Sequence, residues 1–452
     1  MIVMKFGGTS VESAEAIARV AGIVRARLDR EPVVVVSAIG KTTNKLLAVA
    51  SDAVSGKSQA ARKDLDDLRL FHLREAAGLG TDAKIEDHFR ELSALVDGLA
   101  IVGELTPRAT DAISAYGERL SSIIVAAYFN HCGLRTQHLD AREYIVTDRR
   151  HTQAAPLFAT TNALLQKLVA PTSEVRVMGG FIASTEDGVT TTLGRGGSDY
   201  TASIVGAGIG AEEIQIWTDV DGMLTADPTI FPGGHRVKVC SFAEAAELAY
   251  FGAKVLHPAT VLPAIEKNIP VRILNSRRPK AEGTLIVSDP PPSSSPIRSI
   301  ACKRNITVVN IVSTRMLMAH GFLRRIFEVF DRYETPVDMV ATSEVSVSLT
   351  IDNTCSLAAI QDELEAFAEV SIEEHQAIVC MVGENIRRCD NVSARAFAAL
   401  DGIRPRMVSQ GASQLNLSMV VAASDLQRAV ESLHREFFRT PDHASFESAP
   451  FE

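Results

Sequence analysis

The chain has 452 residues, of which 46 are basic and 55 acidic, so its formal net charge is −9. A hydrophobic content of 46% and a charged content of 22% are typical of a folded globular protein and exclude disordered and fibrous classes. The acidic excess disfavours non-specific nucleic-acid binding, so an anionic ligand has to be held by local cations and backbone amides. At roughly 100–200 residues per domain, this length predicts two to four domains.

Targeting and redox signals in the sequence are sparse. No apolar run approaches the ~18 residues of a membrane span, and the first residues reach Lys5 and a glycine pair too soon for a secretion signal. The six cysteines show neither C-x-x-C nor zinc spacing, which indicates buried thiols in a reducing compartment. We therefore expect a cytoplasmic protein with no metal-ligand cluster of its own and no membrane or nucleic-acid partner.

The N-terminal residues predict a βαβ unit. Ile2–Phe6 is almost wholly apolar and ends at a glycine pair, as a buried strand entering a tight turn does. Apolar residues at helical spacing follow over 13–30, and the β-branched run Pro32–Ser37 predicts a second strand buried on both faces.

Further strands and helices alternate up to a proline-rich break. A charged stretch with helical period, 51–105, precedes apolar strands at Val175–Phe181, Ile214–Thr218 and Val271–Asn275. This alternation predicts an α/β domain with a largely parallel sheet. The segment 288–296, rich in proline and serine, predicts a linker.

The residues beyond the linker contain an internal repeat of the type strand, helix, strand, strand, helix. The predicted elements are 307–312, 321–333, 337–342, 345–352 and 357–367 in the first copy, and 377–383, 392–400, 406–410, 414–422 and 425–438 in the second. Met339-Val340 in the first copy corresponds to Met407-Val408 in the second. Two such units favour a paired small-molecule sensor, with a plain α+β appendage as the alternative.

Two glycine-containing loops carry residue types that bind anions. In the first, Lys5, Gly7, Gly8 and Ser10 could surround a phosphate with amides and an ammonium group, or form only a strand-end turn. The second, T-T-T-L-G-R-G-G-S-D-Y-T over 190–201, is the strongest local signal. Its arginine could bind a carboxylate through two parallel hydrogen bonds while its amides face a phosphate. A flexible loop is the alternative.

Three other positions could belong to the same site. Trp217–Gly222 ends a predicted strand with small and acidic residues, where ligands bind on parallel sheets, although an Asx turn explains it equally well. Lys254 follows a glycine and could be a plain surface lysine. Glu118 lies in an apolar helical stretch, either at its rim or buried against an ammonium group. Together these cations and loops indicate phosphoryl transfer to an unspecified acceptor, since that reaction requires positioning and charge neutralisation.

The sequence resembles the aspartate kinases of the single-function, lysine-regulated type. The motifs that carry the resemblance run in order through nearly the whole chain: Lys5–Val11, Thr191–Thr201, Trp217–Gly222, Phe251–Thr260, Gly321–Leu323 and Thr342–Val347. The resemblance implies an α/β amino-acid-kinase fold, with a mostly parallel central sheet flanked by helices, followed by two α+β ACT domains of ferredoxin-like βαββαβ type. The implied boundaries are a catalytic domain at 1–287, a linker at 288–296, and ACT domains at 297–375 and 376–452, where the leading strand of the first could belong to the second.

The resemblance also implies a reaction and its site. The γ-phosphoryl group of ATP, with Mg²⁺ held mainly by the nucleotide phosphates, would be transferred to the β-carboxylate of L-aspartate as the first step of lysine, threonine and methionine biosynthesis. By analogy, the catalytic residues are Lys5, Asp199 and Lys254, the substrate-binding residues are Thr43, Glu118, Arg195 and Ser198, and the nucleotide-binding residues are Lys5, Gly7, Gly8, Ser10, Thr218, Asp219 and Lys254. The acceptor carboxylate is ionised at pH 7, so no general base is required.

Feedback inhibition by L-lysine is the regulatory implication. The implied effector residues, at an interface between ACT units of a homodimer or larger homo-oligomer, are Met316, Gly321, Phe322, Leu323, Asp338, Ser343, Glu344 and Val345. Asp338 and Glu344 supply acidic partners for the effector. The chain departs from the family at Ala319, where a serine is common, and at Leu224 and Thr229, where a tyrosine and an arginine are common.

Two other functions remain as alternatives. One is a kinase of the same fold acting on another acidic amino acid, such as glutamate, and the other is a catalytically silent amino-acid sensor. A nicotinamide-dependent dehydrogenase is disfavoured because the first turn lacks G-x-G-x-x-G.

Overall fold

The computed structural model describes residues 1–170, 172–252, 258–313, 320–384, 386 and 389–448. Their strands are β1 (Ile2–Phe6), β2 (Pro32–Val36), β3 (Thr136–Leu139), β4 (Val146–Thr147), β5 (Val175–Gly179), β6 (Ile182–Thr185), β7 (Thr190–Thr192), β8 (Glu213–Thr218), β9 (Arg236–Val237), β10 (Val239–Ser241), β11 (Val271–Asn275), β12 (Thr284–Val287), β13 (Ser299–Val312), β14 (Val340–Thr342), β15 (Ser346–Ile351), β16 (Glu369–Val382), β17 (Met407–Gln410), β18 (Asn416–Ala422) and β19 (Phe446–Glu447). Their helices are α1 (Ala14–Arg25), α2 (Thr42–Val54), α3 (Ser58–Gly78), α4 (Glu86–Val102), α5 (Pro107–Ser114), α6 (Tyr116–His131), α7 (Phe158–Leu165), α8 (Gly197–Ile209), α9 (Phe242–Tyr250), α10 (Leu262–Glu266), α11 (Phe322–Arg332), α12 (Leu357–Glu365), α13 (Val392–Ala399) and α14 (Leu426–Phe438).

These residues form two compact units. Unit 1 takes the described residues of 1–223 and 255–290, and unit 2 takes those of 224–254 and 291–451. The segment 224–254, which the sequence analysis assigns to the catalytic domain, therefore groups with the C-terminal residues. The grouping of residues into compact units does not locate the boundaries of folding domains, so the predicted division into 1–287, 288–296, 297–375 and 376–452 stays a prediction.

The central sheet of unit 1 has the strand order β12-β11-β8-β1-β2-β5-β3. All of its neighbouring strands are parallel except β11 and β12. Every residue of β1 and β2 is buried, which explains why both strands are continuous apolar runs. The sheet is the mostly parallel one that the sequence predicts.

The position of β1 determines where a ligand can bind. Because β1 lies between β2 and β8, the chain leaves β1 toward one half of the sheet and later returns to the other half. Parallel sheets have their binding crevice at such a reversal, outside the carboxyl ends of the strands. A smaller sheet, β4-β6-β7, leads from this part of unit 1 into α8.

Helix α1 is shorter than its apolar spacing suggests. The Ser13 side chain accepts a hydrogen bond from the Ala16 amide and caps the helix at its N-terminus. The helix ends at Arg25, and a 3₁₀ turn leads to Glu31 at φ +49°. The chain has to reverse there, because Pro32 starts the next buried strand and disfavours helix in the residue before it.

Unit 2 contains a six-stranded antiparallel sheet in the order β14-β15-β13-β16-β18-β17. The predicted repeat is visible in its register: Val340 lies opposite Leu349 in one half, and Val408 lies opposite Met419 in the other. The two central strands, β13 and β16, each have 14 residues and pair with one another over most of their length. The strands of both copies of the repeat thus form one continuous sheet.

The cysteines differ in exposure more than the sequence suggests. Cys240, Cys302 and Cys380 are buried, and burial raises the pKa of each thiol, that of Cys302 to about 12. Cys355 is exposed, which differs from the expectation of buried thiols throughout. None of the described helices is long and apolar enough to cross a membrane.

Candidate active site

Lys5 lies near the carboxyl end of β1, on the side of the sheet where parallel sheets have their binding crevice. Its side chain is 10% exposed, and Nζ lies 2.6 Å from Asp199 Oδ1 in the first turn of α8. A Cβ atom added to Gly7 would lie 3.5 Å from this Nζ atom, so the glycine turn passes close to the ammonium group. The structure therefore brings the first loop and the 190–201 loop together through Lys5 and Asp199.

The turn after β1 is fixed by its own hydrogen bonds. The Gly7 amide donates to the carbonyl oxygen of Trp217 at 3.0 Å. The Ser10 hydroxyl is buried and donates to the Trp217 carbonyl at 3.2 Å and to Ser276 Oγ at 2.8 Å. A Cβ atom on Gly8 would lie 3.1 Å from the Gly40 carbonyl oxygen, a tighter contact than most Cβ atoms make, which favours glycine at this position. The hydrogen bond from Ser10 to Ser276, a residue not predicted from the sequence, ties this turn to the end of β11.

The glycine-rich loop, defined here as residues 193–197, connects β7 to α8. Gly194 and Gly196 have φ angles of +76° and +71°, a region that residues with a Cβ atom rarely adopt. Between them, the Arg195 side chain is exposed and makes no ion pair with any residue that the structure describes. Ser198 follows in α8, where a Cβ atom on Gly180 would lie 2.9 Å from its Oγ atom.

Glu118 occupies the first turn of α6 and is buried against the ends of β2 and β5. A Cβ atom on Gly117 would lie 2.8 Å from Ala38 Cβ and 2.9 Å from Thr43 Oγ1, so α6 packs closely on the first turn of α2, which carries Thr43. On the other side, a Cβ atom on Gly179 would lie 3.1 Å from Glu118 Cβ. Thr43, Glu118 and Ser198 thus meet around the ends of β2 and β5.

The Glu118 carboxyl group has few internal partners. Oε1 accepts a hydrogen bond from the Ala38 amide at 3.2 Å, whereas Oε2 is buried without a partner among the described residues. Burial raises the pKa of this carboxyl to about 8, and the Ala38 hydrogen bond opposes the rise only in part. A buried acid with a free oxygen fits a site that awaits a cationic ligand.

The remaining predicted nucleotide residues lie at the end of β8 or outside the described residues. Thr218 donates its hydroxyl hydrogen bond to Asp219 Oδ1 at 3.2 Å, and Asp219 is exposed. Asp221 accepts a hydrogen bond from Asn275 Nδ2 at 2.8 Å, so the ends of β8 and β11 are joined. Lys254 lies outside the described residues.

The predicted effector residues are spread over unit 2. Gly321 begins α11 at φ +82°, Phe322 is buried in the core, and Leu323 is 40% exposed. Asp338 Oδ1 pairs with Lys303 Nζ at 2.6 Å and accepts a hydrogen bond from the Tyr250 hydroxyl at 3.3 Å.

At the opposite end of β14, Ser343 Oγ accepts hydrogen bonds from the amides of Val345 and Ser346 in the turn that includes Glu344. Met316 and Ala319 lie outside the described residues. In the described part of the chain, no group of three or more histidine, cysteine, aspartate or glutamate side chains could hold a metal ion.

Comparisons with known proteins give the family. The amino acid kinase family matches residues 1–275, and an ACT domain matches residues 379–437. Aspartokinase 3, chloroplastic, of Arabidopsis thaliana is 43% identical over 97% of this chain and 82% of its own length. The lysine-sensitive aspartokinase 3 of Escherichia coli is 35% identical over 97% and 99%. The crystal structure of E. coli aspartokinase III in complex with aspartate and ADP has a TM-score of 0.82 at 34% identity, covering 97% of this chain and 100% of that one. The chain therefore belongs to the amino acid kinase family and, within it, to the aspartokinases.

Proposed function

We propose that this aspartate kinase transfers the γ-phosphoryl group of ATP to the β-carboxylate of L-aspartate at the carboxyl ends of β1, β2, β5 and β8. The observation that carries the proposal is the Lys5–Asp199 pair, which lies beside the glycine turn of β1 and next to Ser198 in α8. The related E. coli enzyme, crystallised with aspartate and ADP, supports aspartate as the acceptor and an adenine nucleotide as the second ligand here.

The aspartate substrate would be held by three kinds of group. Arg195 extends from the glycine-rich loop without an ion pair to any described residue and would bind a carboxylate through two hydrogen bonds. Glu118, with its unpartnered buried oxygen, would bind the ammonium group. Thr43 and Ser198 would complete the contacts to the carboxylates.

ATP would lie on the β1 and β8 side of the cleft. Lys5 and Lys254 would neutralise charge that develops on the transferred phosphoryl group, while the amides of Gly7 and Gly8 and the hydroxyl of Ser10 would face the phosphates. Thr218 and Asp219 would border the nucleotide, and Asp199 would orient Lys5. Mg²⁺ would arrive with the phosphates, since its preferred ligands include substrate phosphates and water.

Acyl-phosphate trapping tests the reaction and the acceptor together. The enzyme, ATP and Mg²⁺ are incubated with hydroxylamine and, separately, L-aspartate, L-glutamate or N-acetyl-L-glutamate, and hydroxamate is measured. We expect hydroxamate only with aspartate. Hydroxamate with glutamate or N-acetylglutamate alone would favour another kinase of the same fold, and none with any acid would favour the silent sensor.

The raised pKa of Glu118 predicts a pH-dependent affinity for aspartate. Only the ionised carboxyl attracts an ammonium group, and its ionised fraction grows about tenfold per pH unit below a pKa of about 8. The apparent KM for aspartate should therefore fall about tenfold per unit between pH 6 and 7.5 and level off above pH 8. In Glu118→Gln the KM should be high and lose this slope. The same slope in both proteins would assign the titration to another group, and the KM for ATP serves as the control.

We further propose lysine regulation through unit 2, in a cytoplasmic homodimer or larger homo-oligomer. The E. coli relative is named lysine-sensitive, and it has been crystallised with lysine and aspartate. Asp338 already binds one ammonium group, that of Lys303, which supports a site for a second amine in exchange. Asp338 and Ser343 lie at opposite ends of one hairpin, five extended residues or roughly 16 Å apart. One lysine molecule could contact both ends only across an interface between subunits.

Lysine inhibition should depend on Asp338. In Asp338→Asn, the lysine concentration for half-maximal inhibition should rise on the order of tenfold or more, because a charge-assisted hydrogen bond becomes a neutral one. Activity is measured against lysine, threonine and methionine separately, with Asp362→Asn as a control at an exposed carboxylate of unit 2. No lysine response in the unmodified enzyme, or a strong threonine response, would contradict the proposed effector.

A further inference from the structure

Asp111, in α5, has a buried carboxylate that the proposed reaction does not use. Its side chain is inaccessible to solvent. Oδ1 accepts hydrogen bonds from Thr192 Oγ1 at 2.6 Å and from the Thr152 amide at 3.0 Å, and Oδ2 accepts from His151 Nδ1 at 2.7 Å and from the same amide at 3.0 Å. Two separate chain segments, 151–152 and the end of β7, therefore meet on one carboxylate.

The hydrogen bonds to Asp111 do more than compensate for the burial of its charge. An isolated carboxylate is strongly disfavoured in a protein interior unless donors surround it, and here both oxygens have donors. Thr152 has a φ of +71°, which is unusual for a β-branched residue, and both Asp111 oxygens lie 3.0 Å from its amide. Asp111 thus stabilises a local conformation that the chain would not adopt by itself.

Both segments bound by Asp111 lead to the glycine-rich loop. Thr192 precedes this loop directly, and its carbonyl oxygen accepts a hydrogen bond from the Ala154 amide at 2.9 Å. The carbonyl oxygen of Thr152 lies 3.2 Å from where a Cβ atom of Gly194 would be. Arg195 is the next residue. The path from the carboxylate to this arginine is one hydrogen bond and three residues along the chain.

We propose that Asp111 is a positioning residue for aspartate binding: it fixes Thr192, directly before the glycine-rich loop, and Thr152, which packs on Gly194, and thereby positions Arg195. This inference rests on the proposed role of Arg195 in binding the substrate carboxylate. The loop contains two glycines at positive φ, so its own backbone has little preference for one conformation. An anchor outside the loop supplies that preference and lowers the entropy lost when the substrate binds.

Thr192→Val gives the sharpest test, because it removes one hydroxyl group from the network and keeps the side-chain shape. We expect the KM for aspartate to rise about fivefold, with the KM for ATP and kcat within twofold of the unmodified enzyme. Thr192→Ser restores the hydroxyl and should restore the KM. Asp111→Asn, which places an NH₂ group against donors, should raise the KM for aspartate at least tenfold.

Thr161→Val is the matched control. Thr161 is an equally buried threonine of unit 1, but its hydroxyl contacts only the backbone of Val146, so the change should lower the melting temperature without raising the KM for aspartate. Equal rises in the KM for both substrates, or no difference between Thr192→Val and Thr161→Val, would overturn the inference. Arg195→Ala distinguishes a failure of the positioning role of Asp111 from a failure of the proposed substrate site. If it raises the KM for aspartate and Thr192→Val does not, only the role of Asp111 fails, whereas no effect of Arg195→Ala contradicts the proposed site.

Discussion

Replacing Lys5 with methionine should lower kcat on the order of 1,000-fold. Methionine has nearly the length of lysine but no charge, so the change removes the ammonium group beside the glycine turn and leaves the strand packing intact. In a site with little water, one preorganised cation aimed at developing charge is worth about this much in phosphoryl or acyl transfer. Steady-state kinetics with saturating ATP and aspartate measures the effect.

The double variant Lys5→Met with Asp199→Asn separates catalysis from stability. Lys5→Met alone leaves Asp199, whose side chain is 16% exposed, without its cation, which should cost about 2 kcal/mol of unfolding free energy. The second change removes the unpaired charge and should recover most of that stability, but not kcat. Recovery of kcat together with the melting temperature would assign Lys5 a structural role only.

Replacing Arg195 with alanine should raise the KM for aspartate on the order of 100-fold and leave the KM for ATP within about threefold. The loss of a two-bond contact between a guanidinium and a carboxylate is worth about 3 kcal/mol when water has limited access. A structural effect of the change should be small because the side chain is exposed and has no internal ion pair. An increase in the KM for ATP alone would contradict the assignment.

Two variants act as controls for Arg195→Ala. Arg195→Lys keeps the charge but loses the planar pair of donors, so its KM for aspartate should lie between those of the alanine variant and the unmodified enzyme. Arg62→Ala removes an exposed arginine that pairs with Asp97 at the surface of unit 1, and it should leave both KM values unchanged. A rise of similar size in Arg62→Ala would indicate a general electrostatic effect.

The central strands of unit 1 could be predicted because they are buried on both faces. Ile2–Phe6 and Val271–Asn275 are observed with the predicted bounds, and the strand predicted at 32–37 is observed as Pro32–Val36. Such continuous runs of apolar, mostly β-branched residues are typical of strands buried on both faces. The short strands β3, β4, β6 and β7 escaped prediction. Each has only two to four residues, and polar stretches such as Thr190–Thr192 show no alternation of apolar and polar residues from which a strand could be predicted.

The residues of the candidate site also differ in how well they can be predicted from the sequence. The motifs around Lys5 and Arg195 could be recognised because glycines and cations are concentrated in a few residues, and the structure brings Lys5 to Asp199. Glu118 could be named as a candidate, but its burial with one oxygen unpartnered among the described residues depends on the close approach of Gly179 at the end of β5, which the sequence does not show. Asp111 could not be found from the sequence, because a lone aspartate in a helix has the same pattern whether it faces solvent or a turn 40 residues away.

The pairing of β13 with β16 in unit 2 determines how fragments that separate these two strands should behave. Because β13 and β16 pair along their length, a fragment ending before β16 would leave one side of a 14-residue strand with bare amide and carbonyl groups. Such an edge recruits whatever strand it meets. Either half of this sheet, produced by itself, should therefore aggregate or pair with a strand of another molecule, whereas a fragment that keeps β13 and β16 together should not.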